Sequence, residues 1–504
     1  MTGLHRAAAQ GFASASAAYA RGRPDYPQAL HDWLSTPLST RGGARWLDLG
    51  SGTGHFTRRL AASAAGEGSA PAGLMAPWLL LALPILGAGL SVFLKASLPR
   101  MKTVALVTTV ASLCSVIGSA LVLGEPASGV PFLCLLPLAA CLSLLGQPLH
   151  RDTSAAWPMT LILLGLGLGT LTTQGLAHAI LLLLLLILLS ALLYRHQPDP
   201  APDAWRGLSS FSLGLIATLL ALTLPTPASN IATLVACATL FPLLPVHSGF
   251  VATVGGLPGN LPAFLAVLLP MVGFHDLQVI LPTLSGTVLR TLGILALASA
   301  LYGSLRALIQ SRPLPRLAYA ALAFFGMLWW YVADTGTAPI PATIYLSAVG
   351  LATSGLLLAW FAIRARYGDV DLRALGGMAY PMPRFSTLLA LLALAALGMP
   401  PFGVFSGFLS MLLLPTFTPS ASFAIIMLVW LTASWYQIEL VQQLVFGRAR
   451  LEVRYEDLRQ TEFMSLVLLL FLLLVLGTAP SRLFESNAPT PPVSTASQGN
   501  TWIR

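Results

Sequence analysis

The stretch Leu240–Phe250, "LFPLLPVHSGF", decides how this chain is folded. It lies inside a long apolar run, yet it holds two prolines, Pro242 and Pro245, followed closely by His247. Proline removes a backbone donor and clashes with the preceding turn, so a helix breaks there. Inside a membrane the freed carbonyls need partners from neighbouring helices or water, because hydrocarbon supplies none. Gly398–Phe408, "GMPPFGVFSGF", repeats the device with Pro400 and Pro401. Matched proline interruptions in two parts of a polytopic chain are the signature of a repeat transporter fold, with the ion path at the repeat interface.

The composition around these two stretches agrees. Of 504 residues 56% are hydrophobic and only 9% charged, and the mean hydropathy is +0.78, far outside the range of soluble domains. Apolar runs long enough to cross a bilayer recur from residue 75 to 480. They predict an all-α polytopic membrane protein of about fourteen transmembrane helices, broken in helices 7 and 12. The eighth and ninth helices are expected at 259–274 and 277–304. Basic residues fall in alternate loops: Lys95, Arg195, Arg312 and Arg450 lie on one side, while loops 124–129, 225–229 and 333–338 carry none. That asymmetry predicts cytoplasmic basic loops, both ends of the membrane domain on the outer face, and a multi-pass position in a bacterial inner membrane, the lipid bilayer being the immediate partner. The net charge of +9 does not point to nucleic acid, since the basic residues form no dense run with interleaved aromatics. Cys114, Cys134, Cys141 and Cys237 sit in apolar stretches without metal-ligand spacing and are expected to be small core hydrophobes. No metal and no cofactor is expected.

Five segments carry a family resemblance: Leu240–Pro258, Leu289–Ala321, Asp371–Leu409, Trp435–Gly447 and Asp457–Pro480. In this order they resemble the antiporter-like membrane subunits shared by respiratory complex I, membrane-bound hydrogenases and Mrp-type cation/proton antiporters. The resemblance covers essentially all of 75–485 and implies two inverted five-helix repeats, other membrane subunits as partners, and proton or cation translocation. It also implies intramembrane lysines and glutamates that this chain lacks. The matching positions are Leu240 before the first break, Met271 in the eighth helix and Phe408 after the second break, and the fifth helix holds no glutamate. Pro245 and His247 match the family's Pro-x-His, whereas Gly249 stands where a tryptophan is common.

Ionisable groups are costly inside a membrane, so each survivor is a functional candidate. Four are singled out: His178, His247, Arg290 and Glu439. His247 titrates most readily near neutral pH and follows a proline-freed turn; the alternative is that its ring caps the broken helix. Arg290 and Glu439 are candidates for a buried pair, unless Glu439 snorkels to the cytoplasmic end. His178, at a helix start, is expected to be exposed. Tyr302, Tyr319, Ser248 and Thr253 supply hydroxyls for a water-filled path.

The front of the chain is of another kind. "DLGSGTG" (48–54) offers Asp48, Gly50, Gly52 and Gly54 as a glycine loop before a helix start, a cradle for a nucleotide-like ligand. With the preceding residues 12–30 it resembles the first loop of class I S-adenosylmethionine-dependent methyltransferases. After Leu60 the chain turns into a small-residue linker, so the sheet has no room to close. The expected organisation is a truncated methyltransferase-like fragment over 1–66, a linker over 67–74, the membrane domain over 75–485 and a polar tail over 486–504. The fragment is expected to be non-functional, a truncated fusion or an over-extended start with Met75 as the natural one. The leading function is a membrane subunit of a complex I-like, hydrogenase-like or Mrp-like assembly that contributes to or scaffolds translocation. The alternatives are a membrane-tethered methyltransferase, a purely structural subunit and an inorganic-carbon uptake subunit.

Overall fold

Proline opens helices here as well as breaking them. Its fixed φ suits the first helical turn, where its missing N–H would have no partner anyway, and Pro131, Pro262, Pro313, Pro341 and Pro383 all stand there. The computed structural model describes residues 70–123, 129–196, 202–369, 372, 375–414, 417, 421–446 and 456–478. The chain divides into two units between Ala76 and Pro77. The described part of the first is the opening turns of α1, and the glycine loop Asp48, Gly50, Gly52 and Gly54 lies outside the described residues.

Every regular element among the described residues is helical. In chain order they are α1 (Ala70–Phe93), α2 (Leu98–Leu123), α3 (Val130–Gly146), α4 (Ala156–Thr172), α5 (Gly175–Arg195), α6 (Pro202–Thr223), α7 (Ala228–Leu240), α8 (Ser248–Gly256) and α9 (Leu261–Ile280). After a short 3₁₀ turn follow α10 (Gly286–Ile309), α11 (Pro313–Thr335), α12 (Ile340–Tyr367), α13 (Pro383–Leu397), α14 (Gly403–Leu412), α15 (Ala421–Val445) and α16 (Gln460–Thr478). Nine of the described helices are long and apolar enough to cross a membrane.

The second unit is built around three pillars, α9, α11 and α12, whose side chains are almost all buried. Around them α2, α5, α6, α10, α15 and α16 bury one face and turn leucine, isoleucine and aromatic side chains outward; Leu121, Ile294, Leu431 and Trp435 are among the exposed. An apolar exterior over a packed apolar interior is the surface of a multi-pass membrane protein. Small residues let the surrounding helices close onto the pillars. Gly326 of α11 meets Ala300 of α10, and Gly303 of α10 meets Ala323, so close that a Cβ on either glycine would collide with backbone.

The chain breaks at the places read from proline. Helix α7 stops at Leu240 and α8 starts at Ser248; α13 stops at Leu397 and α14 starts at Gly403. Helix boundaries elsewhere differ from the hydropathy expectation. The span drawn over 259–274 continues to Ile280, and the next starts at Gly286 rather than 277. Asp276 therefore belongs to α9, near its end, and is buried. Of the four cysteines, Cys237 is buried and Cys134 and Cys141 half-buried, but Cys114 is exposed on the outer face of α2, so it is no core residue.

Candidate functional site

At the first break, three helices supply the polar partners that the missing turn requires. The Trp329 indole N–H of α11 donates to the Phe241 carbonyl at 3.2 Å. Ser299 of α10 accepts from the Leu244 N–H at 2.8 Å, and the Ser210 hydroxyl of α6 donates to the Val246 carbonyl. Unpaired buried backbone groups are costly, so these side chains fix where the break lies.

Aromatic rings fill the space around it. Phe241 stacks on Trp329 with centroids 4.8 Å apart, and meets Phe274 and Phe325 edge-on at 5.8 and 5.6 Å. Phe250 adds a further edge contact to Phe325 at 5.9 Å. All five rings are buried, as are Leu240 and Met271. The result is a packed apolar layer at the first break. Gly249 is small for a packing reason: a Cβ there would lie 2.9 Å from the Phe211 ring.

His247 lies on the basic-loop side of this layer. It occupies the N-cap position of α8, without a side-chain hydrogen bond to the N–H groups of that helix. The ring turns instead toward α10 and α11, with its centroid 5.3 Å from Tyr302 and 6.2 Å from Tyr319. The two tyrosine rings are 5.8 Å apart, and the Arg306 guanidinium stands 5.1 Å above Tyr319, a cation–π contact. Thus Tyr302 and Tyr319 join His247, whereas Ser248 and Thr253 do not. The Ser248 hydroxyl donates to the Arg206 carbonyl at 2.7 Å and that of Thr253 to the Phe250 carbonyl of its own helix at 2.7 Å.

The second break is closed in a similar way. Phe408 of α14 lies 4.6 Å from Trp430 and 5.9 Å from Tyr345, and Trp430 reaches Phe324 at 5.6 Å. Helix α16 presses its backbone onto the Pro401 carbonyl at Gly477, where there is no room for a Cβ. Nearby a cavity of about 20 Å³, lined by Thr353, Gln437 and apolar side chains, has room for one water.

The remaining candidates find other places. Arg290 is exposed in the second turn of α10, and Glu439 pairs not with it but with Arg316, whose guanidinium donates at 2.8 Å and also reaches the Tyr436 carbonyl at 2.7 Å. Gln443 donates to the other Glu439 oxygen at 2.8 Å. Arg316 is buried in the first turn of α11. Arg366 and Glu462 form a second pair, joined at 2.7 and 3.2 Å and both largely buried. Lys102 of α2 donates to the last carbonyls of the α3 region, Leu145 at 2.9 Å and Gln147 at 2.7 Å, a favourable cation at a helix C-terminus. These pairs tie helix ends together on the basic-loop side. His178 is not freely exposed as expected, since its ring contacts the buried Asp276. The sequence signal for that pair was present in "FHDLQ" (274–278), but its polar residues read as a loop.

Comparison with known proteins gives a consistent picture. Residues 211–436 match the model of the family described as NADH:quinone oxidoreductase/Mrp antiporter, transmembrane. The chain is 26% identical over 254 residues to the F(420)H(2) dehydrogenase subunit M of Methanosarcina mazei, an alignment covering 48% of this chain and 50% of that protein. It thus spans about half the length of that relative. Its fold superimposes on a chain of respiratory complex I from Thermus thermophilus with a TM-score of 0.69 at 21% identity, covering 81% of this chain and 97% of the other. A chain of the Mrp complex from Dietzia sp. gives a TM-score of 0.66 at 17% identity, covering 82% and 95%. Separately, 60 residues are 50% identical to an uncharacterized methyltransferase of Mycobacterium tuberculosis, 12% of this chain and 23% of that one.

Proposed function

We propose, from the match of residues 211–436 to the model of the NADH:quinone oxidoreductase/Mrp antiporter transmembrane family, that this chain is a membrane subunit of a multisubunit ion-translocating assembly and conducts no protons by itself. Counting α7–α8 and α13–α14 as single broken spans turns the sixteen described helices into fourteen, with the breaks in the seventh and twelfth. Five-helix repeats of inverted topology then bring the two breaks into equivalent positions.

One observation carries the proposal: both breaks are kept, and aromatic rings pack tightly around both. Handing a proton across a bilayer core takes titratable groups or water close enough to relay it. Leu240, Met271 and Phe408 offer neither, and His247 with its tyrosines stands on one side of the layer only. What remains is the shape of the translocating subunit and its apolar flanks, which suit contact with further membrane subunits and with lipid. Residues 1–66 contribute no methyltransferase activity in this proposal.

The test is to reconstitute the full chain in liposomes loaded with a pH-sensitive dye and impose a proton gradient. Conductance equal to that of protein-free vesicles is expected. Conductance well above it, abolished in a folded His247→Ala variant, contradicts the proposal and restores a histidine-and-water path. Co-purification of a tagged chain with other membrane subunits is expected from native membranes.

A further inference from the structure

We propose that His178 and Asp276 form a proton-binding site at the end of the membrane domain opposite the basic loops. His178 lies in the first turn of α5, a helix that ends at Arg195 among the basic residues, and Asp276 lies near the far end of α9. Both groups are therefore at the same end of the fold.

The contacts of the imidazole count the protons. Nδ1 stands 2.8 Å from the Thr170 carbonyl oxygen, and a carbonyl only accepts, so Nδ1 carries a hydrogen. Nε2 stands 3.1 Å from an Asp276 carboxylate oxygen. That second contact needs a proton too. It sits either on Nε2, giving an imidazolium facing a carboxylate, or on the carboxyl group, which then donates to a neutral ring. Both arrangements hold one proton more than a neutral histidine beside an ionised aspartate. Without it, two lone pairs face each other at hydrogen-bonding distance, with the Asp276 side chain only 5% exposed and little water to separate them. The geometry is that of a bound proton shared by two atoms.

The surroundings suit such a site. The other titratable groups nearby are His275 of α9, whose ring centroid is 6.3 Å from that of His178, and the buried Cys237 thiol of α7, which lies within electrostatic reach of Asp276. Among the described residues, His178 is the ion-pair partner that Asp276 has. The His178 side chain keeps 20% of its surface exposed, a route for exchange at that end. Phe274, two residues before Asp276 on α9, packs edge-on against Phe241 at the first break. Proton uptake and release thus occur from one side, whether or not the subunit conducts. Release also removes the bond that ties the start of α5 to the end of α9.

Infrared difference titration of the full chain in lipid nanodiscs, from about pH 5 to about pH 10, reads imidazole and carboxyl bands together. One coupled transition is expected, lost in His178→Gln and in Asp276→Asn, and kept in His150→Gln, whose parent side chain is exposed. His178→Gln retains an amide donor toward Asp276, so it preserves the contact while removing the titrating ring; it decides the matter if Asp276→Asn does not fold. An unchanged transition in His178→Gln, or an ionised Asp276 facing a neutral His178 throughout, overturns the site.

Discussion

His247 shows how a single side chain takes its role from its neighbours. With its ring against two tyrosines, it packs as an aromatic body between α8, α10 and α11. A phenyl ring fills most of the same volume, and aromatic contacts of this kind are worth about 0.5–1.5 kcal/mol beyond burial. His247→Phe is therefore expected to stay within about 1 kcal/mol of the parent, and His247→Ala to lose roughly 2–4 kcal/mol through the cavity it leaves. Thermal unfolding of the purified protein in detergent measures both. Equal damage by the two substitutions would show that a ring nitrogen, not the ring, is what matters.

The helix breaks belong to the next scale, because each depends on how an element ends. Helix α13 stops at Gly398, whose φ of +80° gives a left-handed cap with its N–H turned back to Ala395 at 3.2 Å. Any side chain is strained at that φ, and here a Cβ would also run into the Trp430 ring. Gly398→Ala is expected to cost at least about 1–2 kcal/mol from the backbone alone, more if Trp430 is displaced, and a melting curve should register it. Trp430→Leu in the same background, by removing the collision, should recover part of the loss; no recovery would mean the backbone term dominates. Both breaks were legible because proline acts locally, on the turn that contains it. The ion pairs were not. Arg316 with Glu439, and His178 with Asp276, are joined by packing between helices far apart in the chain. Hydropathy alone treats such polar residues as loop, as it did with Asp276. Which freed backbone group Trp329, Ser299 or Ser210 would satisfy was hidden for the same reason, since nothing near Pro242 names its partners.

For the molecule as a whole, orientation rests on the division of basic residues between its two ends, and the helices carry that division through the fold. Ser311 lies at the basic end and Thr337 at the other, separated by α11, and both are exposed. Cysteine placed singly at each, in a background without the native four, should react with an impermeant thiol reagent from the cytoplasmic side for Ser311→Cys and from outside for Thr337→Cys. The reverse pattern would invert the assignment of the His178 site to the outer face.

The aromatic layer makes a final expectation at this scale. If Phe241 merely fills space, its removal leaves an apolar hole bounded by Trp329, Phe274 and Phe325. Apolar cavities of that kind stay dry, because a water entering one gives up its hydrogen bonds and finds no polar partners. Phe241→Ala is therefore expected to lose about 3–5 kcal/mol of stability while leaving the proton permeability of reconstituted vesicles unchanged. The Trp329 indole still meets the backbone carbonyl at position 241, so the break itself survives the truncation. Dye-loaded liposomes and a melting curve on the same preparation separate the two effects. A rise in permeability without loss of fold would mean that water crosses once the ring is gone, and that the layer is a gate rather than a packed wall.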